Sequence, residues 1–162
     1  GKVRTPPVAL QYLFGADRDI QQEEIIKHLK NGEIVISDRY FWSSVAYGTA
    51  DKQGVDYKNS LQLSLTAFSL FSMYHQFILP DATIYLDIPI EESIKRMKGS
   101  KKHTEIYDNE ETVLKVEKGY KWLINKFPQE FIILDGTKNE EVLEQEIIKI
   151  IQKKLKAKIR TP

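Results

Sequence analysis

Residues 36–48 have the sequence ISDRYFWSSVAYG, in which a short apolar run ends at an acidic and a basic residue. The run starts earlier, and its β-branched residues 34–36 favour a strand that is buried on both faces. We therefore predict a strand over residues 33–37. Asp38 and Arg39 follow at its carboxyl end, where open α/β sheets bind their ligands.

A carboxylate beside a guanidinium at such a position suits phosphoryl transfer. The acid can hold the water of a magnesium ion or accept a proton, and the guanidinium can bind two phosphate oxygens at once. An Asp-Arg pair alone is also compatible with a surface salt bridge at the end of a strand. The residues that follow the pair decide between these interpretations.

The rest of the chain predicts helices that alternate with strands, which is typical of a parallel sheet with helices on both faces. A polar turn is expected over Gly48–Asp56, and Thr137 with Glu140 matches a capping box. Besides 33–37, strands are predicted over 82–88 and 131–134. Five helices are predicted: from Thr5-Pro6-Pro7 to Asn31-Gly32, over about 57–76, from Pro89 to Arg96, over 110–127, and from the capping box to about Lys156.

Composition sets limits on the class of protein. The 162 residues are 29% charged and 41% hydrophobic with a net charge of +1, which favours one globular domain over residues 1–162 and no nucleic-acid partner. The chain has no cysteine and three dispersed histidines, which exclude thiolate chemistry and argue against a zinc site. No apolar run approaches a membrane span of about 18 residues, so we expect no membrane partner and a cytoplasmic location.

Four blocks of sequence resemble the thymidylate kinases. The motif D-R-Y-x-x-S-x-x-A-Y over residues 38–47 is similar to the signature of that family. The other blocks are LFGADRDIQ at 13–21, LPDATIYLDIPIEESIKR at 79–96 and FIILDGTKNEEV at 131–142. The resemblance implies a three-layer α/β fold of the P-loop nucleoside monophosphate kinase type, with a parallel sheet between helices. It also implies transfer of the γ-phosphoryl group of ATP to dTMP to give dTDP, with Mg²⁺ as cofactor.

Two of the matching residues would carry the chemistry. By resemblance, Arg39 contacts the phosphate of the accepting nucleotide and the phosphoryl group in transfer, where a guanidinium stabilises the charge that develops. Asp38 would act on the acceptor or bind the magnesium ion through water. Both residues are therefore catalytic candidates, and Arg39 is also a substrate-binding candidate.

Five residues would form the pocket for the nucleotide acceptor. The resemblance implies that Phe14 stacks on thymine and that Arg18 bonds a carbonyl oxygen of the base. Ser43 and Ser44 would line the base pocket, and the Tyr47 ring would exclude a ribose 2′-hydroxyl. The residues alone leave another interpretation open, in which Phe14 belongs to the core and Arg18 pairs with a nearby acid.

Other residues would lie on the side of the phosphoryl donor. The family carries a mobile lid over the donor phosphates, and the matching segment here is 97–110. The candidate lid and donor-side residues are Arg96, Lys98, Lys101 and Lys102, and the candidates bordering the adenine pocket are Asp135, Gly136 and Thr137. A solvated loop is the alternative for the lysine-rich segment. Whether the catalytic arginine of the family would lie in the lid or in the phosphate-binding loop stays open.

One departure from the family limits these expectations. The phosphate-binding pattern G-x-x-x-x-G-K-[ST] occurs nowhere in the 162 residues. We therefore expect the fold to be incomplete at its amino-terminal end, without the first strand and its loop, and these residues by themselves to be inactive in phosphoryl transfer.

Three further expectations concern alternatives and partners. One alternative is a different deoxynucleoside or nucleotide kinase, and another is a non-catalytic module that retains the nucleotide pocket. By resemblance, the protein is also expected to form a homodimer through the long helices that flank the acceptor site. The helix at 57–76 supports this loosely, because it carries more apolar residues than one core-facing stripe needs.

Overall fold

The structure is a computed structural model that describes residues 7–50, 61–99 and 109–159. Across these ranges, no helix is both long enough and apolar enough to cross a membrane. The helices and strands in chain order are α1 (Pro7–Lys30), α2 (Phe41–Ala50), α3 (Leu61–Met73), β1 (Thr83–Asp87), α4 (Ile90–Gly99), α5 (Glu110–Lys126), β2 (Phe131–Asp135) and α6 (Glu140–Ile159).

These elements group into two compact units. The first lies within residues 1–78 and 106–123, and the second within residues 79–105 and 124–162. Helices α1, α2 and α3 and most of α5 belong to the first unit, which contains most of the buried apolar side chains. The second unit contains both strands with α4 and α6.

Helix α1 ends where the sequence predicts. Gly32 has a φ of +77°, the left-handed conformation that glycine adopts without a steric penalty. The Gly32 amide donates to the Leu29 carbonyl at 3.0 Å, and the Glu33 amide donates to the His28 carbonyl at 3.1 Å. These bonds satisfy carbonyl groups that would otherwise lack a partner at the helix end.

The predicted strand over residues 33–37 is wrong. In the described ranges the only paired strands are β1 and β2, and residues 33–37 belong to no strand. The side chains of Ile34, Val35 and Ile36 are 56%, 37% and 79% exposed instead of buried. A β-branched run favours an extended backbone, but a strand also needs a neighbour to share its hydrogen bonds.

Helix α2 replaces part of the predicted turn region. Residues 48–50 are helical, whereas residues 51–56 lie outside the described part of the chain. All of its residues except Tyr47 are buried, so tertiary packing holds a segment rich in aromatic and β-branched residues in a helix. Gly48 permits this packing, because a Cβ there would lie 2.5 Å from a Leu70 methyl carbon on α3.

The predicted helix at 57–76 is confirmed from Leu61 to Met73 as α3, and residues 57–60 lie outside the described ranges. Leu63, Ala67 and Leu70 form its buried face. Leu61, Leu65 and Phe68 are 75%, 60% and 55% exposed. The predicted excess of apolar residues on this helix therefore lies on its surface.

The second unit contains a parallel pair of strands, as the alternation of elements predicts. β1 and β2 pair in register from Thr83 opposite Phe131 to Asp87 opposite Asp135. Their carboxyl ends therefore meet at one edge, beside the turn over residues 135–137.

The predicted capping box of α6 is wrong. The Thr137 amide and hydroxyl both donate to Asp135 Oδ1, at 3.0 and 2.6 Å. The helix begins at Glu140, and Asn139 Oδ1 accepts the Val142 amide at 3.1 Å. Because Thr137 is held by the preceding turn, the next residue with a short polar side chain caps the helix.

Candidate functional site

The turn that carries Asp38 and Arg39 has an unusual backbone. Arg39 has a φ of +66°, and it is the one non-glycine residue with positive φ among those described. Such a conformation costs about 1–3 kcal/mol, and residues strained in this way cluster at functional sites. The Ser37 hydroxyl donates to the Arg39 carbonyl at 2.6 Å. The turn directs the Arg39 side chain towards helix α2.

Arg39 meets Tyr47 in two ways. Its Nη1 donates to the Tyr47 hydroxyl oxygen at 3.0 Å, and its guanidinium carbon lies 5.2 Å from the centre of the Tyr47 ring. Burial of the guanidinium acts to lower the pKa of Arg39. The charge interaction and hydrogen bond with Tyr47, with smaller effects of Tyr120 and Asp38, outweigh it and raise that pKa. The positive charge of Arg39 is therefore held in place beside an aromatic ring.

Arg18 approaches the same helix from α1. Its Nη1 donates to the Ser44 hydroxyl at 2.7 Å, and its guanidinium carbon lies 5.7 Å from the centre of the Phe14 ring. Asp17, the acid that could have paired with Arg18, accepts a bond from Gln21 at 3.0 Å. Phe14 is 40% exposed, so much of its ring is open to a ligand instead of packed in the core.

The two arginines converge on one face of α2. Ser44 and Tyr47 are three positions apart, so their side chains lie on the same side of the helix. The bonds from Arg18 to Ser44 and from Arg39 to Tyr47 therefore place two guanidinium groups beside the same helical face. Such a pair of cations can bind an anionic ligand that also offers polar groups.

Ser43 contacts a residue that the sequence does not reveal. Its hydroxyl lies 2.6 Å from the hydroxyl of Tyr120 on α5. Burial raises the pKa of Tyr120, against the opposing effects of Ser43, Arg39 and Arg18. Tyr120 therefore keeps its proton near neutral pH and adds a neutral hydroxyl to the site. This contact fixes the position of the Ser43 hydroxyl relative to Tyr120, and the predicted role of Ser43 in the base pocket stays a prediction.

Gly119, the residue before Tyr120, explains how α5 packs so closely against α2. A Cβ at Gly119 would lie 2.9 Å from the Ala46 carbonyl oxygen and 3.2 Å from the Ala46 Cα. Only glycine permits this approach without a shift of the backbone. A glycine before a tyrosine in a predicted helix is the one signal in the sequence that could have indicated Tyr120.

Asp38 is exposed, and its negative charge acts on the neighbouring Arg39. Within the described residues, no group of three or more histidine, cysteine, aspartate or glutamate side chains could enclose a metal ion. A single exposed carboxylate fits Mg²⁺, which retains several water ligands and often uses only one or two protein carboxylates. The predicted contact through water is compatible with this geometry.

The donor-side candidates that are described lie in the second unit. Asp135, Gly136 and Thr137 form the turn after β2, where the bonds from Thr137 lower the pKa of Asp135. Arg96 donates from Nε to Glu92 at 2.9 Å and from Nη1 to the Gly136 carbonyl at 3.4 Å. Lys98 is exposed near the end of α4.

Part of the predicted lid cannot be placed. Residues 100–108, with Lys101 and Lys102, lie outside the described ranges. The structure thus brings together Phe14, Arg18, Arg39, Ser43, Ser44 and Tyr47 in the first unit, and Arg96 with the turn at 135–137 in the second.

Comparison with known proteins identifies related sequences. The profile of the family described as thymidylate kinase matches residues 2–147. The probable thymidylate kinase of Thermococcus onnurineus is 36% identical over 144 residues, which are 88% of this chain and 64% of that protein. The probable thymidylate kinase 1 of Saccharolobus solfataricus is 37% identical over 153 residues, 92% of this chain and 70% of that protein.

A solved structure supports the fold assignment. Thymidylate kinase from Candida albicans matches with a TM-score of 0.73 and 26% identity, over 93% of this chain and 68% of that chain. This likeness confirms the predicted α/β class, a parallel sheet with flanking helices. The chain spans between 64% and 70% of the length of the relatives named above.

Proposed function

Because this chain belongs to the thymidylate kinase family, we propose that the protein transfers the γ-phosphoryl group of ATP to dTMP and gives dTDP. The observation that carries this proposal is the placement of two guanidinium groups, those of Arg18 and Arg39, beside one face of α2. An exposed aromatic ring, Phe14, lies next to one of them. A nucleoside monophosphate offers an aromatic base to this ring and a phosphate to an arginine.

Each acceptor residue has a role in this proposal. Phe14 stacks on thymine, and Arg18, held by Ser44, donates a hydrogen bond to a carbonyl oxygen of the base. Tyr47 lies against the sugar, while Ser43 holds Tyr120 at the border of the site. The 40% exposure of Phe14 supports the stacking role, since a core residue would not leave its ring accessible.

Arg39 binds the phosphate of dTMP and the phosphoryl group in transfer. Phosphoryl transfer depends mainly on positioning and on neutralising the charge of the transferring group. Arg39 is suited to this role because its bond to Tyr47 and the left-handed turn fix its side chain before the substrate arrives. A preorganised cation needs little rearrangement in the transition state.

Mg²⁺ and ATP complete the proposed reaction. The magnesium ion would neutralise the phosphate oxygens of ATP, and Asp38 would hold it through a water molecule. The turn at 135–137 would border adenine, mainly through backbone groups. Arg96 is bonded to Gly136 in this turn, which supports a role on the donor side.

We also propose a cytoplasmic homodimer. Leu61, Leu65 and Phe68 recur at helical spacing and are exposed on α3, so they form an apolar stripe that a second copy could cover. Sedimentation should give a mass near twice 18.8 kDa for this chain. Leu65→Glu should shift it to the monomer, whereas Gln145→Glu, at an exposed position of α6, serves as the control. A monomeric wild type at micromolar concentration would refute the dimer.

The acceptor assignment can be tested by isothermal titration of the chain with dTMP, dAMP, dCMP and dGMP. We expect dTMP to bind most tightly, and Arg18→Met to reduce its affinity without lowering the melting temperature. Equal affinity for the four nucleotides would exclude a thymine-specific acceptor site. Formation of dTDP from dTMP and ATP with Mg²⁺, assayed with the whole protein, tests the transfer itself.

A further inference from the structure

Gln22 is a buried side chain that links three segments of the first unit. It is only 7% exposed. Its Oε1 accepts the Tyr40 hydroxyl at 3.0 Å and the Ile78 backbone amide at 3.1 Å. Its Nε2 donates to the Arg18 carbonyl at 3.1 Å. One amide therefore joins α1 to the turn before α2 and to the segment after α3.

The hydrogen-bonding groups around Gln22 fix the orientation of its amide. Oε1 faces two donors, and Nε2 faces a carbonyl oxygen, which can only accept. A reversed amide would place an N–H against another N–H and an oxygen against the carbonyl of Arg18. The side chain thus has one favourable orientation, and it holds the Tyr40 hydroxyl at a defined position relative to α1.

Tyr40 directly follows Arg39, and the carbonyl that orients Gln22 belongs to Arg18. The amide of Gln22 therefore lies between the segments that carry the two arginines of the site. Tyr40 is also held by its ring, which lies 5.4 Å from Phe41 and 5.9 Å from Phe77 between centroids. The rings supply packing, while the hydrogen bond supplies a fixed distance to α1.

We propose that Gln22 is a positioning residue that sets the spacing between Arg18 and Arg39. This inference rests on the proposed function, in which Arg18 binds the base of dTMP and Arg39 binds its phosphate. A ligand that is bound at both ends binds tightly only if the distance between the two arginines matches its length. The second contact then forms within a complex that already exists. Loss of the spacing should weaken the benefit of the second contact without removing either arginine.

A comparison of thymidine with dTMP measures this benefit. Thymidine reaches only the base side of the site, whereas dTMP reaches both sides. In Gln22→Leu we expect the ratio of the thymidine Kd to the dTMP Kd to fall about tenfold, with little change in the Kd of thymidine. Gln21→Leu is the matched control, because the adjacent Gln21 is exposed and its side chain bonds to Asp17 on the same helix. It should leave the ratio unchanged.

Tyr40→Phe gives a second variant that leaves the core volume nearly intact. It removes only the hydroxyl that bonds to Gln22, so the ratio should fall in the same direction. In Gln22→Leu/Tyr40→Phe the two effects should not add, since both variants break the same bond. If Gln22→Leu does not fold, the ratio of the thymidine Kd to the dTMP Kd in Tyr40→Phe alone tests the role of Gln22.

The results separate this inference from the proposed function. An unchanged ratio in a folded variant would overturn the role of Gln22, as would an equal loss of affinity for both ligands. If the wild type binds neither ligand, the proposed function fails. Side-chain NMR of the free protein then tests the positioning role of Gln22. The Arg39 Nε–H group should then be more mobile in Tyr40→Phe than in the wild type, and equal mobility would refute the positioning role.

Discussion

The hydroxyl oxygens of Ser43 and Tyr120 lie 2.6 Å apart, although 77 positions separate the two residues in the chain. Ser43 is 6% exposed, and burial raises the pKa of Tyr120. Removing one of two such hydroxyls lowers the stability of the fold, because the other hydroxyl loses this partner in a region with little water. The bond therefore fixes α5 against α2.

Tyr120→Phe should lower the free energy of unfolding by about 1 kcal/mol, the usual value of one hydrogen bond. Urea denaturation measures this change. Tyr12→Phe is the control, because Tyr12 is 56% exposed and should tolerate the loss of its hydroxyl. Combination with Ser43→Ala should cost little more than Tyr120→Phe alone. Full additivity would show that the two hydroxyls act independently.

Arg39→Ala in the whole protein should reduce kcat by about a hundredfold or more, as is typical when one charge-stabilising donor is lost. Steady-state kinetics with dTMP and ATP measure the change. Lys149→Ala is a suitable control, since Lys149 is exposed on α6 and is not among the proposed site residues. Activity within a few-fold of wild type would remove Arg39 from the mechanism.

Arg39→Gly should be more stable than Arg39→Ala by about 0.5–1 kcal/mol. Relief of the left-handed conformation gains about 1–2 kcal/mol, which exceeds the entropy that glycine loses, about 0.5–1 kcal/mol. Both variants lack the guanidinium, so thermal unfolding compares the backbone alone. A less stable glycine variant would contradict the positive φ of this residue.

Tyr47→Ala should narrow the preference for dTMP over its ribonucleotide analogue, because a smaller side chain no longer excludes the 2′-hydroxyl. Tyr47→Phe keeps the ring and removes the acceptor for Arg39 Nη1. It should therefore retain the preference and lower kcat. The two variants separate steric selection from arginine positioning, and an unchanged ratio of kcat/KM values in Tyr47→Ala would refute the first.

Phe14→Ala should weaken dTMP binding by about 1–3 kcal/mol, the value of a base stacked on an aromatic ring. The melting temperature should change little, because the ring is 40% exposed. Titration and thermal unfolding of one preparation provide both values. A large loss of thermal stability with unchanged affinity would assign Phe14 to the core.

The sequence predicts best where local chemistry decides the structure. Asn31-Gly32 ends α1, and the paired strands β1 and β2 follow from short, largely apolar runs between helices. The family and the fold class, predicted from the blocks around Arg18 and Arg39, are confirmed by the comparisons. These features depend on residues that are close together in the chain or on motifs that can be matched directly.

Prediction from the sequence fails where the local structure depends on residues that are far away in the chain. The run at 33–37 has strand propensity, but the ladder it needs is a tertiary property. Helix α2 has poor helix formers and is held by packing, and Thr137 bonds to Asp135 instead of capping α6. Gln22 has no local signal of its role and Tyr120 has only the glycine before it, because their partners are far away in sequence.

Gly119 has a consequence for how variation at this site should be interpreted. A side chain there would meet the rigid carbonyl of Ala46 at 2.9 Å, so alanine would push two helices apart and rotate Tyr120 away from Ser43. A substitution that adds a single methyl group, at a residue with no side chain of its own, would thus displace a hydroxyl at the border of the proposed nucleotide site. Sequence variants at position 119 would then be mistaken for harmless ones by any method that scores only the chemical similarity of the exchanged residues.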